Sequence, residues 1–142
     1  MSQNDLSAIR AEVARLRLYG RDLVLALTLD AIAAAYNGTG PEFLPDAIRA
    51  KLDAVARPFL PAVMVHDVDF TTSDGTVGSF QAANRRLLAN CIICALDAHP
   101  WHSWRRYALI LEAWALYRAC TQFGWIAWIQ AYSKNTQTKG NT

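Results

Sequence analysis

The spacing of apolar residues between a few strong helix breakers constrains the fold of this 142-residue chain more than any other feature. Between the breakers, apolar residues recur every three or four positions, which is the period of an amphipathic α-helix. The breakers lie only at 38–41, Pro58, 71–75 and Pro100. No segment convincingly alternates apolar and polar residues as a half-buried strand does. The sequence therefore predicts an all-α protein, a single-domain helical bundle of five or six helices.

The breakers also predict where the helices begin and end. The predicted helices are 5–36, with Gly20 as a candidate break, 45–57, 61–70, 78–98 and 103–132. Residues 133–142 contain no large apolar side chain, which is typical of a disordered tail. We therefore expect one helical domain over 1–132 and a disordered tail over 133–142.

Composition narrows the class of partner. The formal net charge of +2 is too small to indicate a nucleic-acid-binding protein, and the arginines are spread along the chain. The polar N-terminus is not typical of a secretion signal, and three cysteines cannot all pair in a disulfide framework. We expect a cytoplasmic or virion protein that does not bind nucleic acid.

The last predicted helix is rich in aromatic residues. Residues 107–132 are long enough to span a bilayer, but Glu112 and Arg118 would each cost about 2.5–3.5 kcal/mol near its centre. We expect a helix buried in protein, with part of its aromatic surface contacting another chain. The candidate partner-binding residues are Trp101, Trp104, Trp125 and Trp128. Contact of these rings with a membrane surface is the alternative.

A His-Asp pair follows the apolar run 59–65 and is the main candidate for chemistry. Adjacent helical residues point about 100° apart, so His66 and Asp67 can serve two different functions. His66 could act as a base toward the next helix. Asp67 could hold a hard cation such as calcium, together with Asp69 and the loop residues Gly38 and Gly40. The simpler interpretation is a hydrogen-bonded core histidine beside an aspartate that caps a neighbouring helix.

A second possible metal site involves the cysteines. Cys91 and Cys94 form a C-x-x-C pattern, and His99 and His102 follow. The short spacing and the intervening Pro100 are not typical of zinc sites. We therefore expect these cysteines to pack as small hydrophobic residues.

The segment around the His-Asp pair resembles two known families. The stretch 59–70, a glycine-containing loop, and then Phe80 and Asn84 on the next helix are similar to the two-helix active-site core of phospholipase A2-like proteins, of the bacterial secreted branch most of all. This resemblance covers about 59–94. The His-Asp-x-x-aromatic motif also resembles a small phage-associated family of unknown function. In that family an arginine-rich helix ends in aromatic–Gly, like Arg105-Arg106 through Phe123-Gly124 here, so the resemblance covers about 59–128.

The phospholipase resemblance implies specific roles. It implies that His66 activates water for attack on an ester and that Asp67 ligates calcium, which polarises the carbonyl. Where those enzymes orient the histidine with an aspartate on the facing helix, this chain offers Asn84 and Asn90. An asparagine can select the imidazole tautomer, but it does not stabilise an imidazolium as a carboxylate does.

Two functions from different classes follow. The favoured one is a non-enzymatic phage or prophage-type helical protein, either a virion or lysis-associated component or a protein that binds a host protein, with no cofactor. The alternative is a phospholipase A2-like hydrolase of lipid or acyl esters, with or without calcium. The apolar composition, the missing acidic partner of His66 and the broader phage-family resemblance favour the first.

Overall fold

The computed structural model describes the backbone of residues 2–36 and 46–139 and contains no strand among them. The helices are α1 Gln3–Arg15, α2 Arg21–Ala26, α3 Leu29–Ala35, α4 Asp46–Ala56, α5 Leu60–Thr72, α6 Val77–Ala98 and α7 Trp104–Lys139. A 3₁₀ turn, Arg57–Phe59, leads from α4 into α5. The predicted all-α bundle is confirmed.

The N-terminal segment predicted as one helix is divided into α1, α2 and α3. The first break contains two residues in the left-handed region, Arg17 at φ 51° and Gly20 at φ 82°. A Cβ at Gly20 would also lie 2.9 Å from Cδ of Arg86, so a side chain there is disfavoured by both conformation and space. The second break was not predicted; Thr28 ends it by accepting a hydrogen bond from the Ala31 backbone N–H at 3.2 Å.

α5 is the central helix of the bundle. Pro61 lies in its first turn, where its missing N–H costs nothing. α5 contacts α1, α2, α3, α6 and α7, and a helix surrounded in this way must be apolar on most sides. Its buried residues are Ala62, Val63, Met64, Val65, His66, Val68 and Asp69. The candidate chemistry of the His-Asp pair therefore lies in the middle of the bundle.

α6 and α7 form a hairpin beside α5. Thr76 caps α6 by accepting a hydrogen bond from the Ser79 backbone N–H at 3.2 Å. α7 continues to Lys139, so residues 133–139 are helical where a disordered tail was predicted, and 140–142 lie outside the described residues. None of the helices in the described ranges combines the length and apolar character needed to cross a bilayer.

Candidate functional site

The predicted meeting of His66 with α6 is confirmed. His66 Nε2 lies 3.1 Å from Asn84 Oδ1. The Asn84 amide nitrogen donates to the Phe80 carbonyl at 3.0 Å, which leaves Oδ1 as the acceptor for the histidine. His66 therefore carries its proton on Nε2, and its Nδ1 keeps a lone pair.

The surroundings of His66 keep its ring neutral. The residue is only 7% exposed, and the Phe70 ring packs against the imidazole at a centroid distance of 4.4 Å. Burial lowers the pKa of His66 to about 4, and the hydrogen bond to Asn84 opposes this only in part. A base with such a low pKa, covered by an aromatic ring, is poorly suited to proton transfer at neutral pH.

Asp67 lies beside this histidine on a different side of α5. Its Oδ1 is 4.0 Å from His66 Nδ1, which is too far for a hydrogen bond. Burial and the charge of Asp67 together raise the pKa of the Cys120 thiol to about 12. Burial raises the pKa of Tyr36 to about 12, with smaller contributions from Asp67 and Asp53. The Asp67 side chain is 17% exposed, and its charge acts on Cys120 of α7 and on Tyr36 at the end of α3.

The calcium site stays a prediction. Gly38 and Gly40 lie outside the described residues. Within 2–36 and 46–139, no three His, Cys, Asp or Glu side chains come together as metal ligands. Asp69, proposed as a second ligand, forms an ion pair with Arg86 instead. Burial raises the pKa of Asp69, and the guanidinium of Arg86 opposes this.

Asn90 does not act on His66, contrary to the prediction. Its amide nitrogen donates to the Tyr19 carbonyl at 3.0 Å, and its Oδ1 accepts from the Tyr19 backbone N–H at 2.8 Å. Both ends of the side chain thus bind the loop between α1 and α2. The physical reason is that a non-helical loop packed on α6 needs hydrogen-bond partners for its backbone N–H and C=O groups, and Asn90 supplies both.

The buried cysteines behave as hydrophobic residues. Cys91 and Cys94 belong to the main core, and burial raises the pKa of both thiols, that of Cys94 to about 11. Thiols held protonated in this way are poor nucleophiles and poor metal ligands.

An exposed line of large hydrophobic side chains begins at Trp101, in the turn before α7, and continues along the first part of the helix. Its exposed fractions are 75% for Trp101, 73% for Trp104, 57% for Tyr107, 71% for Leu111 and 48% for Trp114. Residues 104, 107, 111 and 114 follow the 3–4 spacing that keeps side chains on one side of a helix. We call these five residues the aromatic stripe. Trp101 and Trp104 were among the four residues predicted to bind a partner, and the other three belong to the aromatic helix whose surface was predicted to contact another chain.

The other two predicted partner-binding residues are Trp125 and Trp128, and the prediction for Trp128 is wrong. It is 1% exposed and packs edge-on against Phe70 and Phe80 at centroid distances of 4.5 and 5.5 Å. Trp125 is half-buried and packs edge-on against Phe80 at 5.2 Å. Trp128 belongs to a second, smaller core because Phe70 and Phe80 lie opposite it at the ends of α5 and α6.

Two regions are therefore candidates for function, a covered histidine and an open aromatic surface. No family model, curated protein or solved structure matches this chain.

Proposed function

We propose that this is a non-enzymatic helical protein that binds another protein chain through the aromatic stripe. The observation that carries the proposal is the exposure of three tryptophans, a tyrosine and a leucine in one continuous line. Single exposed hydrophobic residues are normal on proteins, whereas contiguous apolar patches mark interaction sites. Tryptophan and tyrosine are also the residues most enriched among those that dominate binding energy.

Local contacts hold the stripe in place before any partner arrives. Tyr107 donates from its hydroxyl to the Trp101 carbonyl at 3.0 Å. The Arg105 guanidinium lies 5.9 Å from the centre of the Trp104 ring. Trp114 packs edge-on against Tyr117 at 5.7 Å. Rings that are already positioned lose less conformational entropy on binding, which favours affinity.

The covered histidine supports the same proposal. The hydrogen bond between buried, neutral His66 and Asn84 joins α5 to α6, which is a structural role. The resemblance of the His-Asp-x-x-aromatic motif to the phage-associated family is the reason to propose a phage or prophage-type protein, whose partner is another copy of the chain or a virion or host protein. Contact with a membrane surface is the competing use of the same rings.

Site-specific photo-crosslinking in expressing cells tests the proposal. A photoreactive phenylalanine analogue replaces Leu111 in the stripe, or Phe123 as the control, since Phe123 is similarly exposed at 61% but lies off the stripe. We expect a crosslinked protein band of defined mass at position 111 and none at 123. Equal bands at both positions, or none at 111, would contradict a binding surface at the stripe.

One observation favours the alternative function, a phospholipase A2-like hydrolase. The His66–Asn84 bond joins the two helices that carry the motif, as that resemblance implies. Ester hydrolysis on phospholipid vesicles with calcium, compared between the unmodified protein and His66→Gln, tests it. Turnover that requires His66 would establish the hydrolase and overturn the non-enzymatic proposal.

A further inference from the structure

We propose that the partner of the aromatic stripe is a second copy of this chain, packed antiparallel about a two-fold axis that passes between Tyr107 and Leu111. This inference rests on the proposed function, because it names the occupant of the same surface. Three properties of the stripe lead to it: its area, its symmetry and its flanking charges.

The area of the stripe is close to what a dimer needs. A fully exposed aromatic side chain has roughly 150–250 Å² of surface, so the exposed fractions of the stripe amount to roughly 700 Å². A stable interface of ordinary size takes roughly 800 Å² from each partner. One stripe against another, with the neighbouring rim residues, therefore reaches this size without a further element.

The helical part of the stripe, 104–114, is nearly symmetric about its own middle. In a two-fold interface every contact occurs twice: if residue i of one copy contacts residue j of the other, then residue j of the first copy contacts residue i of the second. When two copies of the helix run antiparallel about the middle of 104–114, Trp104 lies opposite Trp114 of the second copy and Tyr107 lies opposite Leu111. Each large ring thus meets a ring or a branched aliphatic side chain. Such a centre resembles the tightly packed aromatic core of protein interfaces.

The charges beside the stripe favour the antiparallel direction. Arg105 and Arg106 lie near its first end and Glu112 lies near its other end. An antiparallel two-fold pair brings the same side of both helices together, so Arg105 of one copy lies toward Glu112 of the other, whereas a parallel two-fold pair places these two residues on opposite sides of the interface. Among the described side chains, no ion pair engages Arg105 or Glu112 within the monomer. Both charges are therefore available at the rim, where they select orientation more than they add affinity.

Sedimentation of the purified full-length chain tests whether the partner is a second copy. We expect a dimer at micromolar concentration. The double variant Trp104→Ser with Leu111→Ser should have a dimer dissociation constant at least tenfold higher than that of the unmodified chain. The matched control, Phe123→Ser with Ile126→Ser, changes two similarly exposed residues away from the stripe and should sediment as the unmodified chain does. Circular dichroism of every variant checks that the helices are retained.

Disulfide trapping tests the direction. Trp104→Cys and Trp114→Cys are made as separate variants in a chain carrying Cys120→Ala, since Cys91 and Cys94 are buried. The antiparallel pair predicts that a mixture of the two variants forms an intermolecular disulfide and that each variant alone does not. Disulfides in the separate variants, with none added by mixing, would overturn the antiparallel arrangement.

The outcomes separate this inference from the proposed function. A monomeric purified chain whose position 111 crosslinks to a different protein in cells overturns the dimer and leaves the protein-binding function standing. A monomer that crosslinks to no protein overturns both. A monomer that floats with anionic phospholipid vesicles, and loses this with Trp104→Ser, assigns the stripe to a membrane surface and also overturns both.

Discussion

The two ends of α7 carry the same residue type in opposite environments. Trp104 near the start of the helix is 73% exposed, whereas Trp128 toward the other end is 1% exposed. Both belong to one series spaced three and four residues apart, which includes Trp114 and Trp125. Their difference shows that residue type alone does not decide whether a ring lies in the core or on the surface.

Two physical effects separate these ends. At 3.6 residues per turn, Trp104 and Trp128, which are 24 positions apart, point about 120° apart around α7. This rotation places Trp128 on a different side of the helix from Trp104. Phe70 and Phe80 then meet Trp128 edge-on, and the three rings form a small core. The first part of the series has turned away from the bundle, so its rings face outward.

The largest expected contrast is between Trp128→Ala and Trp104→Ala. Trp128→Ala removes a fully buried ring and should lower the free energy of unfolding by about 3–5 kcal/mol. Trp104→Ala should change it by less than about 0.5 kcal/mol, because an exposed side chain has little packing to lose. Urea unfolding at a protein concentration too low for self-association measures both. Similar losses in the two variants would contradict the contrast between the ends.

Acid should lower the free energy of unfolding through His66, which packs against Phe70 beside the small core that holds Trp128. The pKa of His66 is lowered to about 4 in the folded state, from about 6.5 in an unfolded chain. Between these pH values the unfolded state binds more protons than the folded state, so stability falls as the pH falls from 6.5 to 4. The loss should approach about 3 kcal/mol.

The variant His66→Gln provides the comparison for this pH dependence, because it keeps a donor for Asn84 but does not titrate. Unfolding free energies of the two proteins are measured from pH 7 to pH 4, so that carboxylates common to both cancel. Parallel curves for the two proteins would mean that His66 is not held neutral by burial.

A smaller loss of stability is expected for Asn84, the residue that accepts a hydrogen bond from His66. Asn84→Ala leaves the His66 N–H without its acceptor in a buried position and should cost about 1–3 kcal/mol. Gln81→Ala, one turn earlier on the exposed side of α6, is the matched control and should cost less than about 0.5 kcal/mol. Thermal unfolding of both variants gives the comparison, and a loss in Asn84→Ala no greater than in the control would argue against the hydrogen bond.

The smallest expected effect is an increase in stability, at Gly124. A Cβ at Gly124 would lie 3.6 Å from the Phe80 ring and 3.8 Å from the Phe70 ring, which is ordinary contact. Gly124→Ala should therefore stabilise the protein by up to about 1 kcal/mol through helix propensity. Gly20→Ala is the opposite case, because φ is positive and the space is filled there. Thermal denaturation distinguishes them, and a destabilised Gly124→Ala would mean that the aromatic core needs a closer approach of α7.

The candidate site was predictable where it depended on neighbouring helices. The connection between α5 and α6 is short, so the helices must pack together, and the contact of His66 with Asn84 follows. The role of Asn90 could not be predicted, because its partner Tyr19 lies 71 positions away in a loop. The ion pair of Asp69 could not be predicted for the same reason, since only the packed helices bring Arg86 to it.

The sequence by itself determined the helical class, the positions of α5 and α6, and the break at Gly20. These properties depend on local physics, namely the 3.6-residue period, proline and glycine geometry, and capping. Only the tertiary structure decided which polar residues pair and which aromatic rings are buried. Large rings occupy most of the circumference of α7, so periodicity alone could not select a face. That selection depends on where Phe70 and Phe80 lie in space, which is a property of how α5, α6 and α7 pack together.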